Sequence, residues 1–175
     1  MRERAARLKL LILDVDGVLT DGSLVYSAEG EVLKTFHVRD GLGIKLLQQQ
    51  GVEVAVISGK TGGPLKRRLD DLGVRRAYLG REDKQVAYAD LLREAGVRDE
   101  EVGYVGDDLI DLPVMRRVGL PMSIADGHAC ARDAAAYVST LPGGRGAVRE
   151  IADAILDARG ERDAAYARYL AEHGG

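Results

Sequence analysis

Two aspartates, Asp14 and Asp16, lie at the end of an apolar stretch that begins at Leu8, and Gly17 follows them directly. A carboxylate beside a buried strand costs free energy unless it is paired, metal-bound or hydrogen-bonded. The glycine allows the backbone to turn sharply. Alone, this pattern is also typical of a solvated turn. A functional site is indicated only if further polar residues gather at the same place.

Polar residues also follow three later apolar stretches of the chain. They are Ser58 after residues 52–57, Lys84 after residues 77–79, and Asp107, Asp108 and Asp111 after residues 102–105. In an open parallel sheet, ligands bind beyond the carboxyl ends of the strands. The spacing therefore predicts that four strands deliver carboxylates, a hydroxyl and an ammonium group to one edge of a sheet.

These residue types suit phosphoryl transfer. Carboxylates that lie close together repel one another, and a divalent cation with oxygen ligands, such as Mg²⁺, relieves the repulsion. A serine hydroxyl and a lysine suit a phosphate dianion. Metal and lysine together offset the repulsion between an attacking carboxylate and a phosphoryl group. One carboxylate can then act as nucleophile, and a second, two residues on, as general acid and base.

The elements that must position these residues alternate along the chain. Strands are predicted over residues 8–15, 52–57, 77–79, 102–105, 120–125 and 136–139. Helical patterns lie between them: one from an N-cap at Asp40 to a stop at Gly51, one with Leu65, Leu69 and Leu72 on one face, and one with Val148, Ile151, Ala152, Ile155 and Leu156 on one face. This alternation predicts an α/β fold with a doubly wound, mostly parallel, Rossmann-like sheet.

A β-hairpin over about residues 23–38 interrupts the alternation directly after the first strand. Two strand-like runs flank a glycine-containing loop, which is a hairpin signal. Apolar side chains in this segment include Leu24, Tyr26, Leu33, Phe36 and Val38. Because a two-stranded ribbon cannot bury all of them alone, the hairpin is expected to need a partner.

Composition limits the classes of function. The 175 residues suit a single domain, 1–175, with a C-terminal tail over about 160–175. The net charge of −3 argues against nucleic acid as a partner. One cysteine excludes an intrachain disulfide and a cysteine-rich zinc site. Neither a membrane span nor a signal peptide is indicated, so the cytoplasm is the expected location.

Two other classes of function compete with this interpretation. A phospho-acceptor signalling domain also combines an acidic cluster with a serine or threonine and a lysine. In such domains, however, the phosphorylated aspartate follows a middle strand, whereas Asp107 and Asp108 come late here. A non-catalytic assembly module is disfavoured by the complete set of Asp14, Asp16, Ser58, Lys84 and Asp107. An enzyme remains the better interpretation.

The motifs resemble those of the haloacid dehalogenase superfamily, in the same order. They are residues 14–18, Ser58-Gly59, Lys84 and residues 106–111. Residues 13–22, 36–41, 104–111 and 143–150 more closely resemble a capless branch of that superfamily, which hydrolyses sugar-acid phosphates. The resemblance covers about residues 8–158 and implies a Mg²⁺-dependent phosphatase without a cap domain.

The resemblance also implies roles for individual residues. Asp14 matches the nucleophile and Asp16 the general acid and base, while Ser58 and Lys84 match the phosphate-binding residues. The metal ligands match Asp14, the main-chain carbonyl of Asp16 and Asp107, with Asp111 in a water-mediated position. Substrate-binding candidates are Lys60, Arg39, Arg68 and Arg145, although a solvated helix face is an equal interpretation of Arg68.

The expected substrate is an eight-carbon sugar-acid phosphate used for lipopolysaccharide precursors. Lys60 departs from the arginine of many relatives, which keeps the positive charge but loses a bidentate fork for a carboxylate. Arg145 favours the eight-carbon substrate over a nine-carbon analogue, which is the alternative. The resemblance also implies a homotetramer, in which the hairpins form a central barrel and a neighbouring subunit covers each active site.

Overall fold

The computed structural model describes residues 1–28 and 30–174. Glu29, in the predicted hairpin loop, and Gly175, in the predicted tail, lie outside the described residues. The strands are β1 (Leu10–Leu13), β2 (Val25–Ser27), β3 (Gly30–Leu33), β4 (Glu53–Ser58), β5 (Arg76–Leu79), β6 (Val102–Val105), β7 (Leu120–Ser123) and β8 (Tyr137–Val138). The α-helices are α1 (Arg2–Ala6), α2 (Val38–Gln49), α3 (Gly63–Asp71), α4 (Lys84–Ala95), α5 (Leu112–Met115), α6 (Ala129–Ala134), α7 (Ala147–Arg159) and α8 (Arg162–Glu172).

Six of the strands form one parallel sheet in the order β5-β4-β1-β6-β7-β8. Side chains alternate across this sheet, as strand geometry requires. In β1, Leu11 and Leu13 enter one hydrophobic core, which includes residues of α2, α3 and α7. Leu10 and Ile12 enter a second core with residues of α4 and α5 on the other face. The predicted doubly wound α/β fold is confirmed.

The centre of the sheet is where the chain changes direction. Strand β1 lies between β4 and β6: the chain runs from β1 outward to β4 and β5, and then returns to β6 on the other side of β1. A hydrogen bond from the N–H of Asp14 to the carbonyl oxygen of Val105, 3.0 Å long, extends the β1–β6 ladder by one residue. Such a switch point leaves a crevice at the carboxyl ends of the strands. Asp14 therefore lies in this crevice, and the sheet holds its main chain in place.

The hairpin is present but shorter than predicted. Strands β2 and β3 pair antiparallel as a separate two-stranded sheet. The predicted extent of the hairpin to residue 38 is wrong, because β3 ends at Leu33 and Val38 already begins α2. The ribbon leaves apolar surface in water: Tyr26 is 63% exposed and Leu33 is 62% exposed. Exposed apolar surface of this kind is typical of a protein–protein interface.

The prediction that Asp40 caps α2 is wrong. Helix α2 begins at Val38, with His37 at the N-cap position, so Asp40 already lies inside its first turn. The buried Asp40 carboxylate accepts hydrogen bonds from the N–H groups of Gly146, at 3.3 Å, and Arg149, at 2.9 Å. It therefore caps α7, an element more than a hundred residues away in sequence. Burial raises the pKa of Asp40.

The predicted helix stop and apolar faces are confirmed. Gly51 adopts a left-handed φ of 78°, where glycine carries no steric cost. All three predicted leucines of the α3 face and all five predicted residues of the α7 face are buried.

The predicted tail is largely helix α8, which packs on its own chain. Ala165 is buried, and the Tyr166 hydroxyl accepts a hydrogen bond from Arg149 Nη2 at 2.7 Å. Within the described residues, no helix is both long and apolar enough to cross a membrane.

Candidate active site

The predicted strand-end residues converge at the carboxyl edge of the sheet. Asp14 follows β1, Ser58 ends the neighbouring β4, and Asp107 follows β6 on the other side. Lys84 begins α4 and reaches this edge through its long side chain. The structure therefore brings together the four segments that the sequence placed at one site.

Lys84 is buried between two carboxylates. Its Nζ donates hydrogen bonds to Asp14 Oδ1 at 2.7 Å and to Asp111 Oδ1 at 2.6 Å. Burial alone would lower the pKa of Lys84, but the two carboxylates hold it above its ordinary value. The site therefore contains a permanent ammonium group in contact with the candidate nucleophile.

Asp111 is committed to four donors. Its Oδ1 accepts from Lys84 and, at 2.6 Å, from the hydroxyl of Tyr104. Its Oδ2 accepts from the main-chain N–H groups of Asp107, at 2.9 Å, and Asp108, at 3.2 Å. A carboxylate offers about four lone-pair sites, so these bonds use its capacity. The geometry favours a metal contact through water for Asp111, as the resemblance implies.

Tyr104 is a site residue that the sequence interpretation missed. It belongs to the apolar run over residues 102–105 that predicts a buried strand. Its hydroxyl lies in the site, 3.3 Å from Lys84 Nζ. A buried tyrosine needs a hydrogen-bond partner for its hydroxyl, and that rule was the available signal.

Three carboxylates form a cluster whose negative charge exceeds the positive charge of Lys84. Oxygen atoms of Asp14, Asp107 and Asp111 lie within 4.8 Å of one another. The pKa of Asp14 is raised, and burial is the largest cause. The charge of Lys84 lowers this pKa, whereas the charge of Asp111 raises it. Burial and the neighbouring Asp14 and Asp111 likewise raise the pKa of Asp107. The donors are hard oxygens in need of a cation, which fits Mg²⁺.

Gly17 allows Asp107 to approach the loop after β1. A Cβ atom at position 17 would lie 2.1 Å from Asp107 Oδ2. The φ of Gly17 is 106°, which side chains rarely adopt. The turn that the sequence predicted at Gly17 thus also makes room for a candidate metal ligand.

Asp16 contacts the hairpin instead of the carboxylate cluster. Its Oδ1 accepts a short hydrogen bond from Lys34 Nζ, just beyond β3. Lys34 also pairs with Glu31 Oε1 at 2.6 Å, and Lys60 Nζ lies 3.5 Å from Glu31 Oε2. Lys34 is a second site residue that the sequence interpretation missed, because only the three-dimensional position of the hairpin brings it to Asp16.

Ser58 is buried at the end of β4. Its Oγ accepts a hydrogen bond from the N–H of Lys60 at 3.2 Å, which folds the following loop back over the strand end. The Lys60 ammonium lies 5.9 Å from the ring centre of Tyr26. Lys60 is thus held at the boundary between the strand-end cluster and the hairpin.

The loop around Arg145 packs against the loop after β1. A Cβ at Gly143 would lie 1.6 Å from the carbonyl oxygen of Gly17, so the two backbones are in direct contact. The Arg145 guanidinium pairs with Asp21 at 3.0 Å. The resemblance-based candidate is therefore adjacent to the site but engaged by an acidic neighbour.

Arg68 and Arg39 lie at the base of the hairpin. Arg68 Nη2 donates to the carbonyl oxygen of His37 at 3.4 Å, and its guanidinium lies 5.9 Å from the ring centre of Phe36. Arg39 is exposed in the first turn of α2. Among the described hydrogen bonds and ion pairs, none joins either arginine to the aspartate cluster.

No protein-family model matches this chain, but curated proteins and solved structures do. A curated relative, 3-deoxy-D-manno-octulosonate 8-phosphate phosphatase of Haemophilus influenzae, is 45% identical over 161 residues, which cover 92% of this chain and 89% of the relative. That level of identity across almost the whole length extends well beyond the motifs.

Two solved structures share the fold closely. The 3-deoxy-D-manno-octulosonate 8-phosphate phosphatase of Moraxella catarrhalis, in complex with magnesium, phosphate and its sugar acid KDO, superimposes with a TM-score of 0.92 at 38% identity. The superposition covers 96% of this chain and 97% of the Moraxella catarrhalis chain. A hydrolase of the haloacid dehalogenase (HAD) superfamily, subfamily III A, from Legionella pneumophila gives a TM-score of 0.92 at 41% identity, covering 97% and 93%.

These likenesses confirm the resemblance that the motifs indicated. They also agree with the oxygen-rich cluster, since the Moraxella catarrhalis protein was solved with magnesium. The chain belongs to the 3-deoxy-D-manno-octulosonate 8-phosphate phosphatase family of the haloacid dehalogenase superfamily.

Proposed function

We propose that this enzyme hydrolyses 3-deoxy-D-manno-octulosonate 8-phosphate to the free sugar acid and phosphate, a step in making lipopolysaccharide precursors. The observation that carries the proposal is the contact between Lys84 Nζ and Asp14 Oδ1, 2.7 Å long, inside a buried carboxylate cluster. The names of the relatives support the choice of substrate.

In the first half of the reaction, Asp14 is the nucleophile. A carboxylate oxygen of Asp14 forms a bond to phosphorus, and the bond between phosphorus and the 8-oxygen of the sugar breaks. The proton on the Asp16 carboxyl group passes to that leaving oxygen. The products of this half are the free sugar acid, a phospho-aspartate at position 14 and an Asp16 carboxylate.

In the second half, water replaces Asp14 on phosphorus. The Asp16 carboxylate takes a proton from the water as the oxygen of the water bonds to phosphorus. The bond between phosphorus and Asp14 breaks, which releases phosphate and restores both carboxyl groups. Ser58 and Lys84 bind the non-bridging phosphate oxygens in both halves.

The donor set fits a magnesium ion. Carboxylate oxygens of Asp14 and Asp107 and the main-chain carbonyl of Asp16 would hold it, and Asp111 would contact it through water. When bound, the ion offsets negative charge on the carboxylates and on the phosphate. Lys84 supplies a second positive charge, in direct contact with Asp14.

We propose that positive side chains around the mouth of the site receive the carboxylate of the sugar acid. Lys60 is the leading candidate, because it lies next to Ser58 and is partly exposed. Arg145, Arg39 and Arg68 are further candidates at the rim. As Lys60 is a point charge instead of a bidentate fork, its grip on a carboxylate is less directional.

We also propose that four copies associate through their hairpins. The exposed Tyr26 and Leu33 supply apolar surface for such contacts. A hairpin from a neighbouring copy would then cover the exposed mouth of the site, for which the described residues of one chain provide no cap domain. We place this activity in the cytoplasm, since a phosphorylated sugar acid does not cross a membrane unaided.

A phosphate-release screen tests the proposed function. The purified enzyme with Mg²⁺ is offered the eight-carbon 8-phosphate, a nine-carbon sugar-acid phosphate and neutral sugar phosphates. We expect the eight-carbon substrate to have the highest kcat/KM, and Asp14→Asn to abolish release from all of them. Preference for the nine-carbon ester would overturn the substrate, and full activity of Asp14→Asn would overturn the nucleophile.

A further inference from the structure

Lys34 links the hairpin to Asp16. Its Nζ donates to Asp16 Oδ1 and pairs with Glu31 Oε1 at 2.6 Å. The Lys34 side chain is 3% exposed, although it belongs to a hairpin whose apolar side chains are largely in water. A lysine is almost never this buried unless it is paired. The hairpin therefore delivers one charged group to the site in a defined position.

Lys34 has two acidic partners in this position, Asp16 and Glu31. The second carboxylate matters, because Asp16 must lose its charge when it carries a proton during the reaction. Glu31 remains as a partner for Lys34 at that stage, so the ammonium group is not left unpaired.

Asp16 needs such an anchor. It lies in the loop after β1, next to Gly17, and its side chain is 23% exposed. A side chain in this setting can occupy several rotamers, whereas proton transfer requires a heavy-atom distance of about 2.6–3.2 Å to the reacting oxygen. Lys34 holds Oδ1, which leaves Oδ2 for the proton transfer.

We propose that Lys34 is a positioning residue that aims the carboxyl group of Asp16 at the leaving oxygen, so that the hairpin forms part of the acid–base machinery. This inference rests on the proposed function, in which Asp16 is the general acid. Glu31 also forms an ion pair with Lys60, 3.5 Å away, at the mouth of the site.

The dependence of the rate on the leaving group tests this role. A sugar alkoxide needs a proton as it departs, whereas p-nitrophenolate departs without one. Phospho-enzyme formation is measured in single turnovers by rapid quench, with the eight-carbon 8-phosphate and with p-nitrophenyl phosphate. For Lys34→Met, we expect a loss of about 100-fold with the sugar ester but under about threefold with p-nitrophenyl phosphate.

Three further variants make the result interpretable. Lys34→Arg keeps the charge and should recover part of the lost rate with the sugar ester. Lys34→Met combined with Glu31→Gln removes one charge of each sign, and should show the same selective loss even if the single variant folds poorly. Lys9→Met removes a lysine–glutamate pair, with Glu101 at 2.8 Å, at the opposite end of β1 and should change neither rate.

An equal loss with both esters, or no loss with either, would overturn the role of Lys34. Failure of the proposed function looks different, because the wild-type enzyme would then form no phospho-enzyme with the sugar ester. Asp14→Asn supplies the reference for that outcome.

Discussion

A Cβ atom on Gly17 would lie 2.1 Å from Oδ2 of Asp107, so the loops after β1 and β6 meet where only a hydrogen atom fits. Gly17→Ala should push the Asp107 carboxylate away from Asp14 and weaken Mg²⁺ binding by about 10–100-fold. Its φ of 106° adds a backbone cost of about 1–3 kcal/mol. Titration calorimetry with Mg²⁺ measures the first effect, and chemical denaturation the second.

Gly22→Ala is the matched control for that variant. Gly22 also has a positive φ, 77°, but the nearest atom to its Cβ would be 3.7 Å away. It should therefore share part of the backbone cost while keeping the Mg²⁺ affinity. Equal affinities in the two variants would contradict the importance of the Gly17–Asp107 contact.

Tyr104→Phe should weaken both stability and activity. The variant removes one donor from Asp111 Oδ1, and a hydrogen bond to a charged group contributes about 1.5–3 kcal/mol. Asp111, which also accepts a hydrogen bond from Lys84, is then less well ordered. We therefore expect kcat to fall about 10-fold. Steady-state kinetics and thermal unfolding give the two effects.

Tyr88→Phe separates the two effects of the Tyr104 variant. Tyr88, in α4, is also fully buried, but its hydroxyl donates a hydrogen bond to Asp99 Oδ1, at 2.7 Å, in the turn before β6. It should lose stability and keep kcat. An unchanged kcat in Tyr104→Phe as well would show that the tyrosine only supports the fold.

Magnesium should stabilise the protein more at high pH than at low pH. The pKa of Asp14 is raised to about 6 and that of Asp107 to about 8, mainly by burial, from an ordinary value of 3.8. The folded, metal-free protein thus binds protons more tightly than the unfolded chain. The contribution of these two carboxyl groups to stability is greatest below the ordinary pKa and falls as pH rises from about 4 to about 8.

Mg²⁺ replaces those protons, so its stabilising effect on Tm should grow across the same pH window. Differential scanning calorimetry at pH values near 6 and near 8, with Mg²⁺ and with a chelator, measures this. Asp107→Asn removes one of the repelling charges, and should raise the metal-free Tm near pH 8 while abolishing most of the Mg²⁺ effect. An equal Mg²⁺ effect at both pH values would contradict the linkage.

Much of the site could be predicted because its signals are local in sequence. Asp14, Ser58 and Asp107 each end or follow a strand that β-branched and apolar residues mark clearly. Parallel strands then bring those ends together whatever the details of packing. Lys84 needed only to follow β5, since its side chain is long enough to reach Asp14.

The missed residues depend on contacts between distant segments. Lys34 meets Asp16 only because the hairpin folds back over the loop after β1. Tyr104 sits in an ordinary apolar strand, and its role depends on the register that places its hydroxyl beside Asp111. Asp40 satisfied the local rule for an N-cap, yet its helix begins earlier and its carboxylate caps α7 instead. No pattern within one segment contains this information.

Asp40→Ala should destabilise the fold by about 1–2 kcal/mol, the usual value for a lost helix cap. The N–H groups of Gly146 and Arg149 would lose their acceptor in a buried place. Asp40→Asn keeps one carbonyl oxygen and should lose less. Urea denaturation gives both values, and similar stability of Asp40→Ala and wild type would contradict the capping role.

The hairpin surface yields a prediction about assembly. Tyr26→Ser combined with Leu33→Ser removes two large apolar side chains that are more than half exposed on β2 and β3. The double variant should convert a tetramer into smaller species, because apolar burial drives such association. Light scattering measures the mass. Val86→Ser, on the exposed face of α4, removes a comparable apolar side chain outside the hairpin and should leave the mass unchanged.

Activity should fall together with the loss of assembly if a neighbouring hairpin covers the active site. The double hairpin variant should then show a higher KM for the sugar-acid phosphate at protein concentrations where the wild type remains assembled, because a cover that excludes water also strengthens charge interactions inside the site. A wild-type protein that is monomeric in light scattering would contradict the tetramer. A hairpin variant that dissociates but keeps its KM would show that each chain forms a complete site alone.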